Sequence, residues 1–133
     1  MDIGKAQKRD LYYTNDHEWI DFQGSVAYVG VCGFKLKGIL QVEQFSFVDA
    51  EGLKKQGETI ATIQYDDYQI AIRMPVDGKV ISLNDALMAG RQDLLLQEPE
   101  NNGWVALIVP DKPYERQGLM LQDQYRQYIK RKY

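Results

Sequence analysis

Two runs of apolar and polar residues in alternation flank a pair of aspartates in TIQYDDYQIAIR, residues 62–73, and this symmetry constrains the local fold more than any other feature of the chain. If Asp66 and Asp67 form a two-residue loop, Tyr65 faces Tyr68, Gln64 faces Gln69, Ile63 faces Ile70, Thr62 faces Ala71 and Ala61 faces Ile72. Ala61, Ile63, Tyr65, Tyr68, Ile70 and Ile72 then share one face. Thr62, Gln64, Gln69, Ala71 and Arg73 share the other, as a half-buried antiparallel pair requires. A slip of one residue would set apolar side chains opposite polar ones throughout. Aspartate tolerates turn conformations and bonds nearby backbone, although Asp-Asp is a weaker signal for a tight hairpin turn than Asn-Gly. The tip is therefore expected to be short and exposed. Met74-Pro75 then forces extended backbone and removes a ladder donor, and Asp77-Gly78 marks a turn before a strand resumes at Lys79, Val80 and Ile81.

Short strands and turns continue in both directions. HEWIDF and VAYVGV, joined at Gly24-Ser25, read as an opening hairpin. CGFKLKG, bracketed by Gly33 and Gly38, holds at most about one helical turn. In ILQVEQFSFV, Leu40, Val42 and either Phe45 or Phe47 are expected to face inward. Asp49, Gly52 and Gly57 supply turns, and Asn84 is placed to cap a short helix over Ala86, Leu87 and Met88 that Gly90 stops. A strand over 104–109 ends at Pro110. From about 113 to 131 a final helix is predicted, with Leu119, Leu121, Tyr125, Tyr128 and Ile129 as its apolar stripe. Residues 1–11 read as a flexible N-terminal arm and residues 12–133 as one domain, mainly β (a β-rich α+β class).

The charge balance and the scarcity of reactive residues exclude several functions. Sixteen Lys and Arg against nineteen Asp and Glu leave a net charge of −3, so nucleic-acid binding would need a local basic patch. The one such patch, YRQYIKRKY with Arg126, Lys130, Arg131 and Lys132, reads as cations at a helix C-terminus. A single cysteine excludes an internal disulfide, and Cys32 among Val29, Gly30 and Val31 reads as a small buried side chain. No run reaches the length of a membrane span, and the first ten residues have no apolar h-region, so no membrane role and a cytoplasmic location are expected. His17 is the sole histidine, which leaves no multi-histidine metal site, and its expected role is structural. Asp66 and Asp67 do not make an acid/base couple, since adjacent residues at a turn point apart and into water. Two exposed carboxylates also fall short of a metal shell. No catalytic residue emerges, and the chain is not expected to be an enzyme. Tyr65 and Tyr68 offer either an amphipathic contact surface or a packed cross-strand pair.

The segments YTNDHEW (13–19), GSVAYVGV (24–31), KKQGETIATI (54–63), MPVDGKV (74–80), LNDAL (83–87) and EPENNGWVALIVP (98–110) together resemble the glycine cleavage system H-protein family, within the lipoyl and biotinyl carrier-domain superfamily. The resemblance runs from about Tyr13 to Tyr128 and implies a lipoyl-domain-like barrel-sandwich hybrid with short peripheral helices and a C-terminal helix. In that family the hairpin tip reads Glu-Ser-Val-Lys-Ala, and its lysine carries lipoic acid as an amide. An exposed turn presents that lysine to the lipoylating enzyme and lets the arm swing between partner sites. With no gap between Thr62 and Gly78, the lysine position falls on Asp67, the glutamate on Gln64, the serine on Tyr65 and the alanine on Tyr68.

A carboxylate cannot form the lipoyl amide, so no cofactor is expected. Lys79 lies beyond the proline in a strand, and Lys54 and Lys55 occupy a turn where the family has lysines that are not its attachment site. Biotin carriers set their lysine between two methionines, a triplet absent here. The family's short helix after the second strand is two residues shorter in this chain, so CGFKLKG lacks a counterpart for one cleft residue. Glu18 matches the family glutamate lining the cleft that receives the loaded arm; with the arm absent, an exposed strand carboxylate beside Trp19 is the other reading. The resemblance thus implies a non-lipoylated, non-enzymatic homologue that acts by protein contact. Tyr65, Asp66, Asp67, Tyr68 and Glu18 are its candidate partner-binding residues, and glycine cleavage or lipoate-handling enzymes its candidate partners. The alternative is a genuine carrier that shuttles an aminomethyl group on another lysine.

Overall fold

A computed structural model describes residues 10–48 and 52–133. Residues 1–9 of the expected arm and the turn expected at Asp49 lie outside the described residues. The strands are β1 (Leu11–Tyr13), β2 (Glu18–Gln23), β3 (Val26–Val31), β4 (Gln44–Phe47), β5 (Gly52–Lys54), β6 (Thr59–Tyr65), β7 (Tyr68–Arg73), β8 (Gly78–Leu83), β9 (Ala106–Pro110) and β10 (Met120–Leu121). They form a seven-stranded antiparallel sheet in the order β10-β1-β2-β3-β9-β8-β5 and a three-stranded one in the order β4-β6-β7. A 3-10 turn (Gly33–Leu36) and the helices α1 (Asp85–Met88), α2 (Leu94–Gln97) and α3 (Gln122–Lys132) complete the chain.

The main core lies between the sheets, where Ile20, Val29, Val80 and Ile108 from one meet Ile60, Ile63 and Ile72 from the other. Alternation along β2 turns Trp19 to the opposite face, where it joins Tyr13, Cys32 and Tyr125 in a second cluster beneath α3. Gly30 pairs with Trp19 across the ladder, and a Cβ there would lie 2.7 Å from the indole ring. The glycine is what allows the ring to cross the strand. Tyr13 and Tyr125 stack at 4.5 Å with planes 4° apart and so fix α3 on β1.

Several expectations hold. The opening hairpin turns at Gly24, the CGFKLKG segment makes one 3-10 turn, and Asn84 Oδ1 accepts from the Ala86 amide at 3.0 Å. Burial of the Cys32 side chain raises its thiol pKa, as its apolar neighbours suggest. Two expectations fail. The C-terminal helix begins at Gln122, not near Pro113, because Met120 and Leu121 pair with Tyr13 and Tyr12 as β10, and Gly118 takes φ 82° just before them. Leu40, expected to face inward, is exposed, while Ile39 and Val42 are buried. The stretch from Lys37 to Glu43 is turn and irregular backbone, so the period-2 rule that selected Leu40 does not apply to it.

Candidate functional site

The β6–β7 hairpin adopts the register that its sequence predicts, from Tyr65 opposite Tyr68 to Ala61 opposite Ile72, with a shift between Thr59 and Ala61. Asp66 and Asp67 are the two loop residues, and both are exposed. Asp66 has φ 49°, in the left-handed region that aspartate tolerates better than most residues. Glu43, at the entry to β4, accepts the Asp66 amide on Oε2 at 2.8 Å, and its own amide donates to the Gln64 carbonyl at 2.9 Å. Tyr65 and Tyr68 stack with ring centroids 5.5 Å apart. Tyr65 packs against the main core, whereas Tyr68 remains 64% exposed. The tip is thus an exposed acidic turn with a phenol beside it.

Glu18, the remaining candidate, lies elsewhere and is not the exposed carboxylate of one of its two readings: it is 2% exposed. Its Oε1 accepts from Thr14 Oγ1 at 2.9 Å, and its Oε2 accepts from Lys35 Nζ at 2.8 Å and from the Arg73 amide at 3.1 Å. One carboxylate thereby ties β2 to the 3-10 turn and to the end of β7 in the other sheet. Lys35 also reaches Asp16 Oδ2 at 3.0 Å. Burial pushes the Glu18 pKa up to about 7, with the Lys35 ammonium pulling it back. Sequence alone does not single out Lys35, which alternates with Phe34, Leu36 and a second lysine, Lys37, that makes no such pair.

His17, at φ 67°, is clasped by the C-terminal helix: Nδ1 lies 2.7 Å from the Tyr125 hydroxyl and Nε2 3.1 Å from that of Tyr133. Burial and the Lys35 charge hold its pKa below the ordinary value. These contacts are architectural. Among the described residues no group of three or more His, Cys, Asp or Glu is placed to hold a metal.

No described lysine stands at a two-residue hairpin tip. Lys79 lies within β8, opposite Leu53 and Val109, and Lys35 is committed to its carboxylates. Lys54 ends β5 with its side chain buried, and Lys55 follows it in the turn to β6. No helix among the described residues is long and apolar enough to cross a membrane.

With this geometry in place, comparison with known proteins converges on one family. The family model described as glycine cleavage H-protein matches residues 11–132. The glycine cleavage system H protein of Caulobacter vibrioides is 32% identical over 119 residues, covering 90% of this chain and 98% of its own. A probable glycine cleavage system H protein of Aeropyrum pernix is 30% identical over 129 residues, covering 94% of this chain and 87% of its own. The crystal structure of a glycine cleavage system H protein from Mycobacterium marinum superposes with a TM-score of 0.77 over 93% of this chain and 99% of that one. At 18% identity it establishes a shared fold.

Proposed function

This chain belongs to the glycine cleavage H-protein family, whose members are carriers and not enzymes, and on that premise we propose that it is a member without a lipoyl arm that acts by docking to protein partners. The observation that carries the reading is the register of the β6–β7 hairpin. It sets Asp66 and Asp67, and no lysine, at the exposed turn where the family resemblance calls for a lipoyl-lysine. A carboxylate offers no nucleophilic nitrogen for the amide. The departures at Gln64, Tyr65 and Tyr68 surround it, so the tip differs as a unit and not at a single position. Glu18 adds support. The carboxylate that resembles the family's cleft glutamate is here engaged by Thr14, Lys35 and the Arg73 amide, which leaves no call for an incoming group.

In this reading Tyr65, Asp66, Asp67 and Tyr68 meet the partner, and the partners are glycine cleavage or lipoate-handling enzymes in the cytoplasm. A carrier modified on another lysine is the competing reading, favoured by the similarity to glycine cleavage system H proteins such as those of Caulobacter vibrioides and Aeropyrum pernix. Binding of the unmodified full-length chain to each purified glycine cleavage and lipoate-handling enzyme tests the proposal. Saturable binding to at least one, weakened by Tyr68→Ala and by the pair Asp66→Lys and Asp67→Lys, is expected. Absence of binding to all of them, or binding indifferent to the tip, would overturn it.

A further inference from the structure

We propose that the β5 edge of the seven-stranded sheet holds a second binding site, one for a small zwitterion of the α-amino acid class, with Lys54 taking its carboxylate and Asp77 and Asp111 its ammonium. Lys54 pairs in the ladder with Gly78 and is 9% exposed. Its ammonium forms no hydrogen bond or ion pair with the described residues. It lines a cavity of about 290 Å³ together with Lys55, Glu58, Asp77 and Asp111. A neighbouring cavity of about 340 Å³ shares Asp77 and Asp111 as its wall.

The walls are pinned by the backbone. Asp77 Oδ1 accepts the Gln56 amide at 2.6 Å, the Asp77 carbonyl accepts the Asp111 amide at 3.0 Å, and Glu58 Oε1 accepts the Lys55 amide at 2.8 Å. No ion pair joins Lys54 or Lys55 to these carboxylates. Cationic and anionic groups therefore face one space without neutralising each other. An ammonium whose stem is buried gains most from a charged acceptor at its head. A simple anion would meet three carboxylates beside the two lysines, and a simple cation would leave Lys54 unmatched. A ligand with both charges answers both ends, and the cavity is of small-molecule size. The site lies on a different sheet from the hairpin tip and does not depend on the function proposed above.

Titration of the full-length protein with a panel of neutral α-amino acids, followed by amide NMR shifts, tests the inference, with propionate and a simple alkylamine as half-molecule controls. Saturable shifts at Lys54, Gly78 and Asp111 are expected with at least one amino acid and with neither half-molecule. Lys54→Met, which keeps the buried stem, is expected to weaken binding about tenfold or more, and Asp111→Asn to act on the ammonium end by a similar factor. Should Lys54→Met fail to fold, Asp111→Asn carries the test. No saturable binding across the panel, equal binding of propionate, or undiminished affinity in both variants would overturn the proposal and leave Lys54 an ammonium satisfied by bulk water.

Discussion

Tyr65 and Tyr68 stack across the end of the β6–β7 hairpin at 5.5 Å between ring centroids, so the residues flanking the loop hold its geometry from one side while Glu43 holds the Asp66 amide from the other. Tyr68→Ala is expected to cost about 0.5–1 kcal/mol of stability, the size of a cross-strand aromatic pair. Asp66→Gly is expected to be neutral or slightly stabilising at φ 49°, whereas Asp66→Val is expected to cost more than Tyr68→Ala, because a β-branched side chain resists that region. Urea unfolding of the three variants checks the order.

Glu18 is buried and Lys35 partly so; removing Lys35 takes the only cation paired with Glu18 among the described residues, whereas Lys35 without Glu18 keeps Asp16. Lys35→Met is expected to destabilise by about 2 kcal/mol, the loss of a charge-assisted hydrogen bond to a carboxylate that keeps its Thr14 and Arg73 donors. The double variant Glu18→Gln, Lys35→Met is expected to cost less than Lys35→Met alone, which a double-mutant cycle in urea would resolve.

The Glu18 environment also sets a pH dependence. Burial raises its folded-state pKa from the ordinary 4.5 to about 7, so the native chain holds the extra proton across that window. Its stabilising contribution is fully present below about 4.5 and is lost as pH rises through about 7. Unfolding free energy measured from pH 4 to 8 is expected to show this decline in the parent chain and to lack it in Glu18→Gln.

His17 acts with the opposite sign. Burial depresses its pKa below the ordinary 6.5, so the stability it contributes is present above 6.5 and is lost as pH falls through its folded value. Tyr125→Phe removes the hydroxyl 2.7 Å from Nδ1 and is expected to cost about 1 kcal/mol. It is also expected to increase hydrogen exchange in α3 more than in β6.

Gly30→Ala is expected to destabilise by about 2 kcal/mol, since the new methyl would meet the Trp19 indole at 2.7 Å with Tyr13 and Tyr125 packed around it. Thermal unfolding followed by tryptophan fluorescence reads both the loss and the displaced ring.

The hairpin was legible to the residue because its signal is local: a period of two on both sides of a short loop admits one register. The Asn84 cap was legible for the same reason. The start of α3 was not, since residues 113–121 carry a helical apolar spacing that pairing with a strand a hundred residues earlier overrides. The Glu18–Lys35 pair was hidden in a similar way. The partners lie seventeen positions apart in sequence, and the turn at Gly33–Leu36 brings the ammonium to the Glu18 carboxylate. The tip residues could be placed from sequence, whereas the charge pairing that engages Glu18 required the folded chain.

The absence of a lipoyl arm is tested most directly by the intact mass of the protein purified from its native host. The mass of the unmodified chain is expected, with every lysine free after proteolysis. A lipoyl-sized adduct on any lysine would contradict the account and restore the chain to the group carriers.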